Sequence, residues 1–178
     1  LDLRHIKTEL TELGDHYDPL DKVVRLSEKN FNGHSLAAIT IAAHEVGHAI
    51  QDATGFKPLK WRTRLVQWVR PIEKIGAGIL MVAPFTAVLT RVPAIGLIML
   101  LGGFLTLGSG IAVHCLTLPT EFDASFRRAL PLLSSKKLLH QGDEAGARTL
   151  LTAAALTYVA GSLSSLLNVA RWWAILRR

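Results

Sequence analysis

The chain has 178 residues, long enough for one domain with a sizeable core. Its apolar fraction of 49% and mean hydropathy of +0.30 are high for a soluble domain, and the excess sits in the second half. A formal charge of +6 admits either nucleic acid or an anionic membrane face as partner, while a single cysteine, Cys115, excludes an internal disulfide. Cys115 lies in an apolar run, where a free cysteine is ordinarily a small buried hydrophobe. The sequence begins at Leu1, not Met, which leaves open a fragment with a further membrane helix upstream, and no charged n-region and cleavage site opens it, so no signal peptide is visible.

Residues 1–36 are polar and mixed in charge. The stretch GDHYDPLDK (14–22) is turn chemistry, built from glycine, aspartates and a proline. KVVRLSE (22–28) is short and β-branched and predicts one strand. That strand is either a plain core strand or an edge that pairs with an extended peptide. NFNGHS (30–35) predicts a loop in which Asn32 or Ser35 caps the next helix. LAAITIAAHEVGHAIQDATG (36–55) predicts that helix, being rich in alanine, free of proline and ended by Gly55.

FKPLKWRTRLVQWVRPIEK (56–74) carries Lys57, Lys60, Arg62, Arg64, Arg70 and Lys74, interleaved with Trp61 and Trp68, against one acid, Glu73. Residues 75–90 then hold no charge, and residues 92–118 hold none if His114 is neutral. A membrane span needs ~20 apolar residues. The second stretch qualifies outright, and the first does so if Pro71 and Ile72 start it and Lys74 snorkels. A transmembrane helical hairpin over 71–118 is expected, with its tip at Arg91. Residues 119–151 return to polar helical sequence. LLTAAALTYVAGSLSSLLNVA (150–170) predicts a third membrane helix, the alternative being a helix packed along the other two. Lys and Arg cluster before the hairpin and again after it, at Arg127, Arg128, Lys136 and Lys137, which places both polar blocks on the cytoplasmic side. The bases track the membrane ends and no nucleic-acid fold signature accompanies them. Lipid is therefore the expected partner, and nucleic acid is not.

The helix over 36–55 holds HEVGH. His44 and His48 are four apart, so they share one helix face, one turn from each other. Two neutral imidazoles so placed reach the same zinc ion. Glu45 is offset from that face, as a general base must be if it is to take a proton from the attacking water without occupying the metal. Gly47 and the neighbouring alanines keep the helix surface slim, so another segment can approach closely. A catalytic zinc takes three protein ligands, and the third is missing from this helix: position 54, where an extended motif would have histidine, is threonine. Candidates farther on are Glu73, Glu121, Asp123, Glu144, His114 and His140. Glu121 stands out, behind LPT at the opening of a polar helix; two crossings by the hairpin would return it to the side of His48. Glu73, among bases at a membrane entry, reads as a surface ion-pair residue. His16 and His34 read as solvated loop histidines. Tyr17, His114 and Arg127 are candidates to stabilise an oxyanion.

The blocks DHYDPLDKVVRLSEKNF, AAHEVGHAIQDATG and LPTEFDAS resemble the bacterial membrane-bound neutral zinc metallopeptidases of the YugP type over nearly the whole chain. More distantly they are similar to the heat-shock and CAAX-processing membrane metalloproteases, which pair the HExxH helix with an E-x-x-x-D motif. The resemblance implies one zinc ion per chain held by His44, His48 and Glu121, with Glu45 as general base. It departs from the distant relatives at Ser125, which stands where they have aspartate four residues after the glutamate. Asp123, two residues along a helix from Glu121, faces away from it.

The fold class expected is a mainly α membrane protein, one domain over 1–178. It comprises a polar block with a short strand or hairpin and the HExxH helix (1–70), the hairpin (71–118), a polar helical block with the third ligand (119–149) and a third membrane helix (150–170). The expected activity is a membrane-embedded, gluzincin-like zinc endopeptidase of the bacterial plasma membrane with its catalytic side cytoplasmic. It would cleave proteins at or near the membrane, with a substrate-delivering or regulatory partner protein left open. The rival is a non-catalytic membrane scaffold with a structural zinc. Glu45 speaks against it, because a structural site has no use for that carboxylate and more often closes with cysteines.

Overall fold

In a computed structural model of the chain, the described residues are 3, 6–90 and 92–176; within the helices, the side chains at 70, 80, 83, 84, 87, 88, 90, 93, 103–112, 114, 115, 158 and 162–176 lie outside them. The elements in order are β1 (Lys7–Leu10), β2 (His16–Asp18), β3 (Val23–Leu26), α1 (Glu28–Phe31), α2 (Leu36–Ala53), α3 (Lys57–Thr90), α4 (Pro93–Phe122), a π-helical turn (Asp123–Ala129), α5 (Leu130–Ser135) and α6 (Glu144–Leu176). They divide into two compact units, one of Leu1–Trp61 with Thr117–Thr157, the other of Arg62–Leu116 with Tyr158–Arg178.

The first unit is organised around α2. Ser35 caps it, its hydroxyl accepting from the Ala38 amide, and Gly55, with φ of +70°, lies just past its end. One face of α2, through Ala42, Val46 and Ala49, lies against Tyr17, Val24 and Leu26 of the sheet. A second, through Leu36, Ile39 and Ala43, joins Ala129, Leu130, Leu133, Ala147 and Leu151. The small residues that favour the helix also let it serve two cores at once. Its third face carries His44, Gly47, His48 and Gln51, all buried.

The sheet has the order β1-β3-β2, with β1 parallel and β2 antiparallel to β3. Arg25 of β3 gathers carboxylates from around the sheet, reaching Asp18 at 2.7 Å, Asp21 at 2.6 Å and Glu9 at 3.4 Å. Asp15 holds the chain after β3, accepting from the amide and hydroxyl of Ser27 and from Asn30.

Several expectations change here. The strand over 22–28 is the central one of three, so it is not an edge open to a peptide. The turn-rich 14–22 segment holds a strand, which places His16 and Tyr17 in β2 and not in a loop. Strands of three or four residues carry too few positions to display an alternation. Pro119 does not open a new helix: α4 runs through it to Phe122, so Glu121 lies at the end of α4. The transmembrane hairpin over 71–118 and the third span over 150–170 are also corrected, since among the described residues no helix is long and apolar enough to cross a membrane. In α3 the reason is plain. The helix is continuous with the basic segment from Lys57, and its charge-free part is only residues 75–90, short of the ~17 at the low end for a span. The other two runs rest heavily on side chains outside the described residues, as do Arg91, the expected tip, and the side chains of His114 and Cys115.

Candidate metal centre

α2 and the π-helical turn that follows α4 meet at Gly47. A Cβ built there would stand 2.6 Å from the carbonyl oxygen of Ala124 and 3.2 Å from its carbon, so only glycine admits this approach of backbone to helix. The approach brings together three side chains able to hold a metal ion, His44, His48 and Glu121, whose ligand atoms all lie within 4.8 Å of one another. The Glu121 Oε2 atom is 3.2 Å from His44 Nε2 and 3.3 Å from His48 Nε2. Exposures of 6%, 5% and 2% make this a buried cluster. The two imidazoles meet edge to face with centroids 4.8 Å apart.

The hydrogen bonds behind the rings fix which nitrogens face inward. Gln51 Nε2 donates to the Thr120 carbonyl at 2.8 Å and to Asp123 Oδ2 at 2.9 Å. Its Oε1 is thereby turned to His48 Nδ1, 3.0 Å away, and this nitrogen must be the one that carries hydrogen. Ser125 Oγ gives its one proton to the Leu151 carbonyl at 3.3 Å and presents a lone pair to His44 Nδ1 at 3.1 Å. Each histidine so held is the Nδ1–H tautomer, with the Nε2 lone pair aimed at the Glu121 carboxylate. Electron pairs from two nitrogens and a carboxylate converging in a buried space suit a cation between them, and two imidazoles with one carboxylate are a donor set that zinc takes. The residues present fit the ion.

The remaining candidates are elsewhere or in other roles. Glu45 is buried, 7% exposed, next to His44 on α2. Asp123 is not in the cluster; it accepts from Gln51 and from Arg128 Nε at 3.2 Å. Ser125, where the distant relatives have aspartate, is the group behind His44. Glu144 pairs with Arg148 at 3.0 Å on an exposed surface, His140 and Arg127 are exposed, and Glu73 belongs to the other unit. Tyr17 donates its hydroxyl to Asp52 at 2.9 Å; burial first, and then that carboxylate, push its ionisation well above the usual phenol range.

Two contributors were not anticipated from sequence, Gln51 and Arg128. Gln51 had a readable signal: it is three residues after His48, on the same face as both histidines. Arg128 had none, because its pairing with Asp123 depends on the π-turn.

Comparison with known proteins finds relatives of this chain. A curated relative, described as "Putative membrane protease YugP" from Bacillus subtilis (strain 168), is 37% identical over 164 residues, covering 90% of this chain and 67% of the relative. No solved structure gives a significant match. The family model described as "Putative neutral zinc metallopeptidase" matches residues 1–177, and with a histidine pair, a carboxylate and their supporting bonds already in place, the chain belongs to that family.

Proposed function

We propose that the chain is a zinc-dependent endopeptidase of the HExxH type. His44, His48 and Glu121 would hold the metal, and Glu45 would serve as general base. The observation that carries this reading is the convergence of three buried donor atoms, each histidine backed at Nδ1 by an acceptor. When bound there, zinc supplies a Lewis acid that polarises a peptide carbonyl and acidifies a water.

The chain's own residues do the rest. Ser125 and Gln51 keep both imidazoles in the tautomer that offers Nε2. Glu45, one residue from a ligand but offset around the helix, takes the proton of the attacking water and delivers it to the leaving amine. Burial of the cluster excludes bulk water and strengthens these charge interactions. Proteins and peptides are the substrates.

Membrane association is part of the proposal, on two supports. The relative is named a membrane protease. On α3, Trp68, Ile72 and Ile75 are exposed along one stripe, with exposed Arg64 and Lys74 beside it, which suits an anionic lipid surface.

The test is cleavage of an unfolded protein such as casein by wild type and Glu45→Gln, with zinc content measured on both. Cleavage by wild type alone, at equal zinc, is expected. Cleavage retained in Glu45→Gln would remove Glu45 from the mechanism.

A further inference from the structure

Gln51 is a side chain that touches both halves of the metal cluster. It is fully buried, 0% exposed. Through Oε1 it meets His48 on α2, and through Nε2 it holds Thr120 and Asp123, the residues on either side of the segment that carries Glu121. Its amide therefore bridges the two ligand-bearing segments, with partners 69 and 72 residues away in sequence. The far end of the chain of bonds is also fixed, since Asp123 Oδ2 is held in turn by Arg128 Nε at 3.2 Å.

We propose that Gln51 is a positioning residue that sets His48 and Glu121 in register, anchored through Asp123 by Arg128. This rests on the metal reading above and deepens it. The chemistry required is narrow. The residue must accept from an imidazole N–H at one end and donate twice at the other, to a carbonyl and to a carboxylate. Of the twenty side chains only a primary amide does this, and asparagine is one methylene too short for the same span. Glutamate could accept from His48, but it would face the Thr120 carbonyl and Asp123 with no donor. An apolar core residue would fill the volume and make none of the three bonds. His44 is bonded to that segment directly through Ser125, whose hydroxyl is tied in turn to Leu151 of α6, so no amide bridge is needed there.

The experiment measures zinc affinity of the full chain by competition with a chromophoric chelator, and the visible absorption of the cobalt-substituted protein. The variants are Gln51→Leu, Arg128→Ala and Arg128→Lys. Gln51→Leu should weaken zinc about 10- to 100-fold, the range for groups that orient a metal ligand, and should change the cobalt spectrum. Arg128→Ala, made at a half-buried position outside the cluster, should weaken zinc by about tenfold, and Arg128→Lys should restore most of it. Gln51→Leu that binds zinc within about twofold of wild type, with an unchanged cobalt spectrum, overturns the proposal. If Gln51→Leu does not fold, Arg128→Ala decides, and unchanged affinity there overturns it. Wild type that takes up no zinc would refute the metal site itself, an outcome distinct from intact wild-type binding with indifferent variants.

Discussion

Gly47→Ala sets two effects of opposite sign against each other. Helix propensity alone favours alanine over glycine by about 1 kcal/mol in a helix interior. Packing opposes it. The new methyl would stand 2.6 Å from the Ala124 carbonyl oxygen, and ordinary contact begins near 3.4 Å, so one backbone must retreat by about 0.8 Å. The obstacle is main chain, so no rotamer change relieves it, and Ala124 lies between Asp123 and Ser125, which both hold the site. Overpacking of this kind costs about 1–3 kcal/mol, and a backbone clash belongs near the upper end. The net loss is about 1–2 kcal/mol, a fall in Tm of about 2–8 °C for a chain of this size. Thermal unfolding monitored by circular dichroism measures it. Gly78→Ala on α3 is the control: its Cβ meets nothing within 4 Å, so propensity acts unopposed and Tm should hold or rise. A Gly47→Ala variant at least as stable as wild type would refute the close approach as the reason for glycine here.

Glu121→Ala removes the only carboxylate of the cluster and should lose most bound zinc, read by metal content after dialysis at nanomolar free metal; full retention would mean a different third ligand. Tyr17→Phe should cost about 0.5–1.5 kcal/mol through the lost bond to Asp52. It should also change the alkaline limb. The folded state holds the Tyr17 phenol protonated, so its contribution is complete below about pH 10, the unfolded value, and fades as pH rises above it. Wild-type stability should therefore fall above pH 10 more steeply than that of Tyr17→Phe, and parallel curves would contradict this.

The histidine pair of the metal cluster was legible because its signal is local, whereas Glu121 rested on the family resemblance and on a membrane hairpin that the described residues do not form. A four-residue spacing on an alanine-rich, proline-free segment puts His44 and His48 on one face in any α-helix, and the Ser35 cap and Gly55 bracket that helix in the sequence. The features that were missed needed tertiary information. β1 reads KTEL and is exposed at every position, so no burial pattern announces it; it is a strand because β3 offers it an edge. The charge-free run from 75 to 90 suggested a span, but its helix continues the basic segment before it. Local apolarity does not say where a helix starts. Asp123 illustrates the middle ground: it is not among the three clustered ligand residues, but the sequence could not say that Gln51 would come across to meet it.

The π-turn decides which arginine meets Asp123. In an α-helix, residues four apart are neighbours, so Asp123 would pair with Arg127, while Arg128 would point well around the helix. A π-helix bonds i to i+5 and wraps more residues into each turn, which brings residues five apart into line. Asp123 accordingly meets Arg128 at 3.2 Å, while Arg127 is exposed. Asp123 is nearly buried, with 8% of its side chain exposed, and Arg128 retains 25%. A charge-assisted bond in that setting contributes about 1.5–3 kcal/mol, whereas truncating an exposed arginine with no such role stays within about 0.5 kcal/mol. Arg128→Ala should therefore lower Tm by several degrees and Arg127→Ala should leave it nearly unchanged, although the two differ by one position in an Arg-Arg pair. The reverse order would mean that the turn is α-helical, and Asp123 would then have to reach Gln51 from a different phase of the helix.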